Sequence, residues 1–432
     1  MLALAAQRTH TMTGAAVAKS WPVVVVPTES GQTTTPPAGH TVALSSFDLC
    51  MLPFPMKLVL AFDRPVHEPV ETIKRALSRA LDHYQPVAGR LDGEGGIACT
   101  GEGVAFVAAS ASCALEEAMA TLQQMDLTVR LPGVFCLDAD PLLLVQVTVF
   151  SCGGFVVGVT WNHLLADGTG IGQFLGAVGE LARGVSPPSV APVRHWDDAL
   201  RALPPTSVAA QRSTFDNNGP RYLVRHDVAV PLSLVSRIKG ESGCTAFEAV
   251  AAVIWRCRTR AVASPDDSPA PLCFPCNVRA LVGAGAGYYG NCVVGQVVPA
   301  TSGAVASSSV ADLALLIRRA KENVPDLLSG SGSDGEAAPP DDGGAQSGAQ
   351  EAPLQWYDGI GVISWVNLGF DAADFGGGGA ARVMWHEDRT LLPGCMVCPP
   401  CRGDAFNVSS LCVKPEHADA FLRELDLLGI QY

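Results

Sequence analysis

The stretch Pro141–Leu175, PLLLVQVTVFSCGGFVVGVTWNHLLADGTGIGQFL, contains two apolar runs separated by a short turn segment. The first run alternates valine with Gln146 and Thr148, which is the period-two pattern of a strand. Residues 151–154, SCGG, are turn formers, so the whole pattern predicts a β-hairpin. The DGTG segment after the second run predicts the start of a helix, with Thr169 as its N-cap.

The returning strand of this hairpin ends in a histidine. By period two, one face of the strand carries Phe155, Val157, Val159, Trp161 and His163. His163 therefore continues an apolar row, and Asp167 follows four residues later. Periodicity alone leaves two interpretations open: a hydrogen-bonded core histidine, which is the commoner case, or a catalytic base at a strand-to-helix connection. Because H-x-x-x-D fixes only two positions, the choice between these two interpretations depends on the surrounding sequence.

Composition narrows the class of protein. The chain has 432 residues, is 48% hydrophobic and carries a net charge of -13, which argues against nucleic acid as a partner. Its apolar runs are of strand length, so we expect no membrane anchor. Fourteen cysteines without a signal peptide indicate reduced thiols and a cytoplasmic protein. Cys395, Cys398 and Cys401 have metal-like spacing but no obvious fourth ligand nearby, so we predict no metal site.

Helices and strands are interleaved along the chain. Amphipathic helices are predicted at residues 69–84, 245–262 and 310–324. Strands are predicted at 142–150, 154–161, 222–230 and 382–385. This alternation predicts an α/β or α+β protein with mixed sheets.

Irregular segments suggest the domain boundaries. Residues 1–17 are predicted to be a disordered extension, and the proline-rich residues 185–220 a crossover linker. Residues 18–184 would then form an N-terminal domain and residues 221–432 a C-terminal domain. Within the second domain, residues 327–353 are rich in Gly, Ser, Pro and acidic residues, so we expect a disordered insertion.

Several blocks make the chain recognisable. In chain order they are LSSFD (44–48), RALDHYQPVAGRL (79–91), the stretch from Pro141 to Leu175, FEAVAAVIWRCRTRA (247–261), FPCNVRALV (274–282), YYGNCV (288–293) and DFGGG (374–378). Together they resemble the plant BAHD family of acyl-CoA-dependent acyltransferases, from about Ala18 to the C-terminus. The resemblance implies two similarly sized domains, each a mixed sheet flanked by helices, with the site at their interface. It also implies a monomer.

The resemblance implies transfer of an acyl group from acyl-CoA, as co-substrate, to a small-molecule alcohol or amine. The reaction would need no metal, no permanently bound cofactor and no covalent acyl-enzyme. His163 would be the general base, since a neutral imidazole can take the proton of a weakly nucleophilic hydroxyl near neutral pH. Asp167 would point away from the reaction and pair with Arg279 in the N-x-R block. Asp374 and Gly376 of the DFGGG block would support the site structurally.

The chain departs from the family in that last block. Gly377 stands where the family has tryptophan, and Ala380 where it has proline. A run of four glycines is costly to order, so an alternative is a weak or inactive member that only binds small molecules. A serine nucleophile is not favoured, because no G-x-S-x-G elbow is present. The arginines at 256, 258 and 260 do not share a helical face, so we assign no coenzyme-binding residues.

Overall fold

The computed structural model describes residues 16–28, 40–197, 200–216, 221–329 and 355–432. Its strands are β1 (Val17–Lys19), β2 (Val23–Val25), β3 (Thr41–Ala43), β4 (Pro55–Phe62), β5 (Arg90–Leu91), β6 (Gly96–Ala98), β7 (Val104–Ala111), β8 (Leu143–Phe150), β9 (Phe155–Asn162), β10 (Val224–Pro231), β11 (Leu272–Asn277), β12 (Val293–Val298), β13 (Ile360–Ser364), β14 (Arg382–Trp385), β15 (Gly394–Cys398) and β16 (Ala405–Val413). Its α-helices are α1 (Ser46–Leu49), α2 (Pro69–His83), α3 (Leu115–Ala118), α4 (Gly168–Ala182), α5 (Pro205–Asp216), α6 (Leu232–Ser242), α7 (Ala246–Val262), α8 (Arg279–Val282), α9 (Ser302–Ser307), α10 (Val310–Glu322), α11 (Val324–Ser329) and α12 (Pro415–Asp426).

The predicted hairpin is present and lies inside the first sheet. β8 and β9 pair antiparallel, with Val147 opposite Val157. Gly153 in the turn has φ +83°, a conformation that favours glycine. The sheet has the order β1-β7-β8-β9-β4-β14, with β2 also paired to β7. Because β7 and β8 run parallel and the other neighbours antiparallel, the sheet is mixed.

The second sheet has the order β10-β16-β15-β13-β11-β12. It is mixed as well, since β13 runs parallel to both β11 and β15. Helix α7 begins at a capping box formed by Thr245 and Glu248 and contributes buried residues to the core beside this sheet. The predicted class, two mixed sheets flanked by helices, is confirmed.

Helices α2 and α4 cover one face of the first sheet. On α2 the buried residues are Ile73, Ala76, Leu77, Ala80 and Leu81, the face that the periodicity predicts. On α4 they include Ile171, Phe174, Leu175 and Val178. These side chains share one core with Val157, Val159 and Trp161 of β9. The strand that ends before His163 and the helix that follows it are therefore locked to each other by apolar packing.

The second half of the chain presses against α4 through backbone groups. An added Cβ would lie 1.9 Å from the carbonyl oxygen of Tyr289 at Gly170 and 1.8 Å from that of Leu368 at Gly172. Such distances leave no room for a side chain. The glycines in GTGIG thus allow a close contact between α4 and two segments of the second half.

Strand β14 shows that the chain crosses between the two sheets. It pairs antiparallel with β4, with Trp385 opposite Leu58, and so belongs to the first sheet. The predicted boundary at residue 221 therefore does not separate the two sheets completely. The division at residues 184 and 221 otherwise stays a prediction.

Several local predictions need correction. Val17 was assigned to the disordered extension, but it lies in β1 opposite Ala111. The insertion was predicted from residue 327, but α11 continues to Ser329, and Leu328 packs into a buried cluster. Residues 1–15 and 330–354 lie outside the described residues.

The predicted crossover linker contains a helix. α5 covers Pro205–Asp216, a segment whose weak periodicity gave no helix prediction. Residues 198–199 and 217–220 of the linker lie outside the described part. Across the ranges that are described, no helix combines the length and the apolar character needed to cross a membrane.

Candidate active site

His163 follows the last residue of β9 and is partly buried. Its backbone N–H donates to the carbonyl oxygen of Phe54 at 3.0 Å, and its own carbonyl oxygen accepts from the Asn291 side chain at 2.8 Å. Burial lowers the pKa of the imidazole below its usual 6.5, although its own backbone carbonyl and Asp167 act in the opposite direction. A histidine in this state is neutral at neutral pH and can accept a proton.

Asp167 is surrounded by hydrogen-bond donors. Its carboxylate receives both terminal nitrogens of Arg279 at 2.9 Å and the backbone N–H groups of Gly170 and Cys292 at 3.0 Å. The bond from Gly170 makes Asp167 the N-cap of α4, so the predicted cap at Thr169 is wrong. The structure contains the ion pair with Arg279 that the resemblance implies. Among the described residues, the donors to this carboxylate do not include the imidazole of His163, which argues against a catalytic triad.

A second buried carboxylate, Asp48, is connected to the histidine segment through other side chains. Asp48 accepts from the backbone N–H of Ser45 at 2.8 Å, from Arg194 at 3.1 Å, and from the backbone and side-chain nitrogens of Asn291 at 3.0 and 2.9 Å. The Asn291 side chain also donates to the carbonyl oxygen of His163. Asp48 thereby connects the histidine segment to residues distant in the sequence.

Arg194 also binds the histidine segment. Its guanidinium donates to the carbonyl oxygens of Leu164 at 3.2 Å and Leu165 at 3.1 Å, in addition to pairing with Asp48. The carbonyl groups of residues 163 to 165 are therefore all satisfied by side chains. Sequence reasoning assigned no role to Asp48, Arg194 or Asn291. The blocks LSSFD and YYGNCV did point to Asp48 and Asn291, whereas Arg194 lies in the predicted linker.

The DFGGG block lies at the far end of α4. Asp374 accepts from the backbone N–H groups of Gly376 at 2.8 Å and Gly378 at 2.7 Å, and its carboxylate pairs with Arg183 at 3.5 Å. Phe375 packs edge-on against Phe62 with ring centroids 5.2 Å apart. Gly179, where an added Cβ would lie 2.5 Å from the Asp374 carbonyl oxygen, follows Asp167 by twelve residues, which is about 18 Å along α4. The structure thus does not bring Asp374 and Gly376 together with His163.

A cavity of about 290 Å³ opens beside the Asp167–Arg279 pair. Asn277 lines it and lies 3.5 Å from the Thr169 hydroxyl, next to the start of α4. The other lining residues are Phe247, Phe274, Pro275, Cys276, Leu281, Lys321, Val324 and Ser364. The lining combines apolar side chains with the Asn277 amide, the Ser364 hydroxyl and the Lys321 ammonium group, a mixture that suits an amphipathic ligand. His163 itself does not line this cavity.

Three of the remaining sequence candidates, Arg258, Cys395 and Cys398, belong to the core. Arg258 is buried and donates to the carbonyl oxygens of Cys412, Asp358 and Tyr357. Cys395 and Cys398 are both buried in β15. Among the residues that the structure describes, no group of three His, Cys, Asp or Glu side chains is placed to hold a metal ion.

Comparison with known proteins decides the family. The family model described as "Transferase family" matches residues 24–223 and 232–411, most of the chain. The chain belongs to this family, the BAHD acyltransferases. The resemblance predicted from the sequence blocks is thereby confirmed, and with it membership of a family of acyl-CoA-dependent acyltransferases.

Individual BAHD relatives match over nearly their full length. The chain is 41% identical to acyl transferase 15 of Oryza sativa subsp. japonica, covering 95% of this chain and 98% of that protein. It is 32% identical to a myricetin 3-O-glucosyl 1,2-rhamnoside 6'-O-caffeoyltransferase of Crocosmia x crocosmiiflora, with the same coverage. Among solved structures, vinorine synthase has the same fold, with a TM-score of 0.74 at 19% identity over 95% of this chain and 98% of that one.

Gly377 can be assessed within this BAHD fold. A Cβ at this position would lie 3.1 Å from the carbonyl oxygen of Arg64 and 3.3 Å from Val66 Cγ2, which is tight contact. The loop nevertheless keeps its two bonds to Asp374, with Gly376 at φ +118° and Gly378 at φ +98°. A side chain at residue 377 would therefore press on the segment of Arg64 and Val66.

Proposed function

We propose that this chain transfers an acyl group from acyl-CoA to the hydroxyl or amine of a small plant metabolite, with His163 as general base and without a covalent acyl-enzyme. The observation that carries the proposal is the state of His163. The residue is partly buried, burial lowers the pKa of its imidazole, and its backbone is held by Phe54 and Asn291. A neutral imidazole on a fixed backbone segment fits the role of a base.

The reaction follows from acid–base chemistry. As the acceptor oxygen or nitrogen attacks the thioester carbonyl, its proton passes to the free ring nitrogen of His163. The tetrahedral intermediate then expels the coenzyme thiolate, and the same proton neutralises the sulfur. A thiol with a pKa of about 8.5 leaves readily, so a second acid is not required. Asp167 has the supporting role of fixing the connection between β9 and α4 through Arg279.

The relatives' names suggest where to begin with substrates. One is a 6'-O-caffeoyltransferase and another, from Taxus cuspidata, is a 2-alpha-hydroxytaxane 2-O-benzoyltransferase. Both names specify oxygen acceptors and aromatic acyl groups. We therefore place aromatic acyl-CoA donors and hydroxyl acceptors first in any test matrix, followed by amines.

The test is turnover of wild-type protein and of His163→Ala against a matrix of acyl-CoA donors and acceptors. Products are identified by mass spectrometry and coenzyme A release is measured. We expect an ester or amide product from the wild type and loss of coenzyme A release in the variant, with unchanged far-UV circular dichroism. Full activity of His163→Ala would refute the assignment.

The alternative, a binding protein without turnover, was suggested by the missing tryptophan. In the structure that loop lies about 18 Å along α4 from the histidine segment, so its change does not remove a group from the chemistry. Ligand binding without any product across the whole matrix would nevertheless favour the alternative. The monomeric state and cytoplasmic location stay predictions.

A further inference from the structure

Two buried polar atoms near His163 have no hydrogen-bond partner among the described residues. They are Nδ1 of His163 and Oδ1 of Asn291. The residues that carry them already touch, since Nδ2 of Asn291 donates to the carbonyl oxygen of His163 at 2.8 Å. Because buried polar groups are nearly always hydrogen-bonded, two such atoms on neighbouring residues require an explanation.

Asp48 determines which way the Asn291 amide faces. An ionised carboxylate can only accept, so the atom that lies 2.9 Å from Asp48 must be the Asn291 nitrogen. Both hydrogens of that nitrogen are then used, one by Asp48 and one by the carbonyl of His163. The oxygen of the amide is left as an acceptor. Arg194 and Ser45 fix Asp48 in turn, so the amide has little freedom to flip.

We infer that Asn291 is a positioning residue for the reaction: a small rotation of the imidazole brings Nδ1 to the unpartnered side-chain oxygen of Asn291, which then accepts its hydrogen and leaves Nε2 as the basic atom. The inference rests on the proposed role of His163 as base. The acceptor's proton moves to Nε2 and later to the departing sulfur, while the hydrogen on Nδ1 stays in place. In the imidazolium stage, the Asn291 oxygen stabilises the positive charge that has formed.

Asp167 does not accept the Nδ1 hydrogen, because its oxygens are occupied by Arg279 and two backbone N–H groups. The direction of the electrostatic effects agrees with a role for Asn291. Burial lowers the pKa of His163, whereas the Asn291 side chain and Asp48 favour the charged imidazole. The competing acceptor for Nδ1 is the carbonyl oxygen of His163 itself, which also favours the charged form.

The test is the tautomer of His163, measured by nitrogen NMR on full-length protein labelled with ¹⁵N-histidine. The chain has nine histidines, so the His163 signal is assigned from its absence in His163→Gln. We expect the neutral wild-type ring to carry its hydrogen on Nδ1. In Asn291→Leu we expect the His163 ring to be a mixture of tautomers and its pKa to be lower than in the wild type. We also expect kcat to fall about 100-fold, as is typical of a misplaced catalytic group, with little change in KM.

A matched control variant completes the design. Gln146→Leu removes another fully buried amide, on β8, and should leave both the tautomer and kcat unchanged. The inference would be overturned if the neutral wild-type ring carried its hydrogen on Nε2. It would also be overturned if Asn291→Leu kept the hydrogen of His163 on Nδ1 and had a normal kcat. The tautomer is read without turnover, so failure of the proposed function would show separately, as activity in His163→Ala.

Discussion

The contact between α4 and the second half of the chain can be tested by replacing one glycine. In Gly172→Ala, the new Cβ would lie 1.8 Å from the carbonyl oxygen of Leu368. Real Cβ atoms essentially never come within 3.0 Å of such an atom, so the helix and residue 368 must separate by more than 1 Å. Because the clash is with backbone, rotation of a side chain cannot relieve it.

The size of the effect follows from two opposing contributions. Overpacking of this kind costs about 1–3 kcal/mol, and we expect the upper half of that range for a backbone clash. Alanine gains about 1 kcal/mol over glycine within a helix, so the net loss should be about 1–2 kcal/mol. Because α4 begins five residues after His163, a shift of about 1 Å should also lower kcat/KM by up to about 100-fold.

Gly176 provides the matched control in the same helix. A Cβ there would meet nothing within 4 Å, so Gly176→Ala should gain about 0.5–1 kcal/mol and retain full activity. Both variants are compared by urea unfolding and by coenzyme A release. If Gly172→Ala proves as stable and as active as Gly176→Ala, the close contact does not align the site, and the argument from the glycines is wrong.

Three further predictions concern charged groups. Asp167→Asn keeps a capping oxygen but leaves Arg279 without its counter-charge, so unfolding free energy should fall by up to about 3 kcal/mol, with less loss of turnover than in His163→Ala; the reverse order would make Asp167 catalytic. Lys57 and Glu387 form a buried pair at 2.7 Å, and burial raises the pKa of Glu387 to about 7, so the measurement is made at pH 8. In urea unfolding, Lys57→Met should cost about 3–5 kcal/mol, and adding Glu387→Leu should recover most of that loss. Equal losses in the single and double variants would show that the pair is not coupled. Because burial lowers the pKa of His163 below 6.5, kcat/KM should fall only below that pH, and an acid limb centred above pH 6.5 would contradict this. The unfolded chain binds this proton more tightly than the folded chain. The contribution of His163 to stability is therefore full above pH 6.5 and decreases as the pH falls.

Local patterns predicted the parts of the fold that depend on neighbours in sequence. The hairpin of β8 and β9 and the buried face of α2 both follow from periodicity over no more than about twenty residues. The predicted N-cap at Thr169 was two residues off, because the cap is chosen by the whole environment of Asp167, including Arg279 and Cys292. Helix α5 was missed, because its sequence has little amphipathic pattern to detect.

The site itself could be predicted only in part. His163, Asp167 and Arg279 came from the family resemblance, and the contact between the last two is present in the structure. The roles of Asp48 and Asn291 could not be read from local pattern, because these residues are 243 positions apart and meet only in the folded chain. Arg194 was hidden in a segment that looked like a linker.

The histidine segment has an unusual dependence on distant side chains. The carbonyl groups of residues 163, 164 and 165 accept from Asn291 and Arg194, where a regular strand or helix would supply backbone partners. The path of the chain between β9 and α4 is therefore imposed by residues outside it, and both of these residues are anchored on Asp48. Loss of Asp48 would free both Arg194 and Asn291, so its effect on turnover should exceed that of losing either of these two residues alone. This is why H-x-x-x-D is weak evidence by itself: the pair sets the ends of a connection whose shape is decided elsewhere in the molecule.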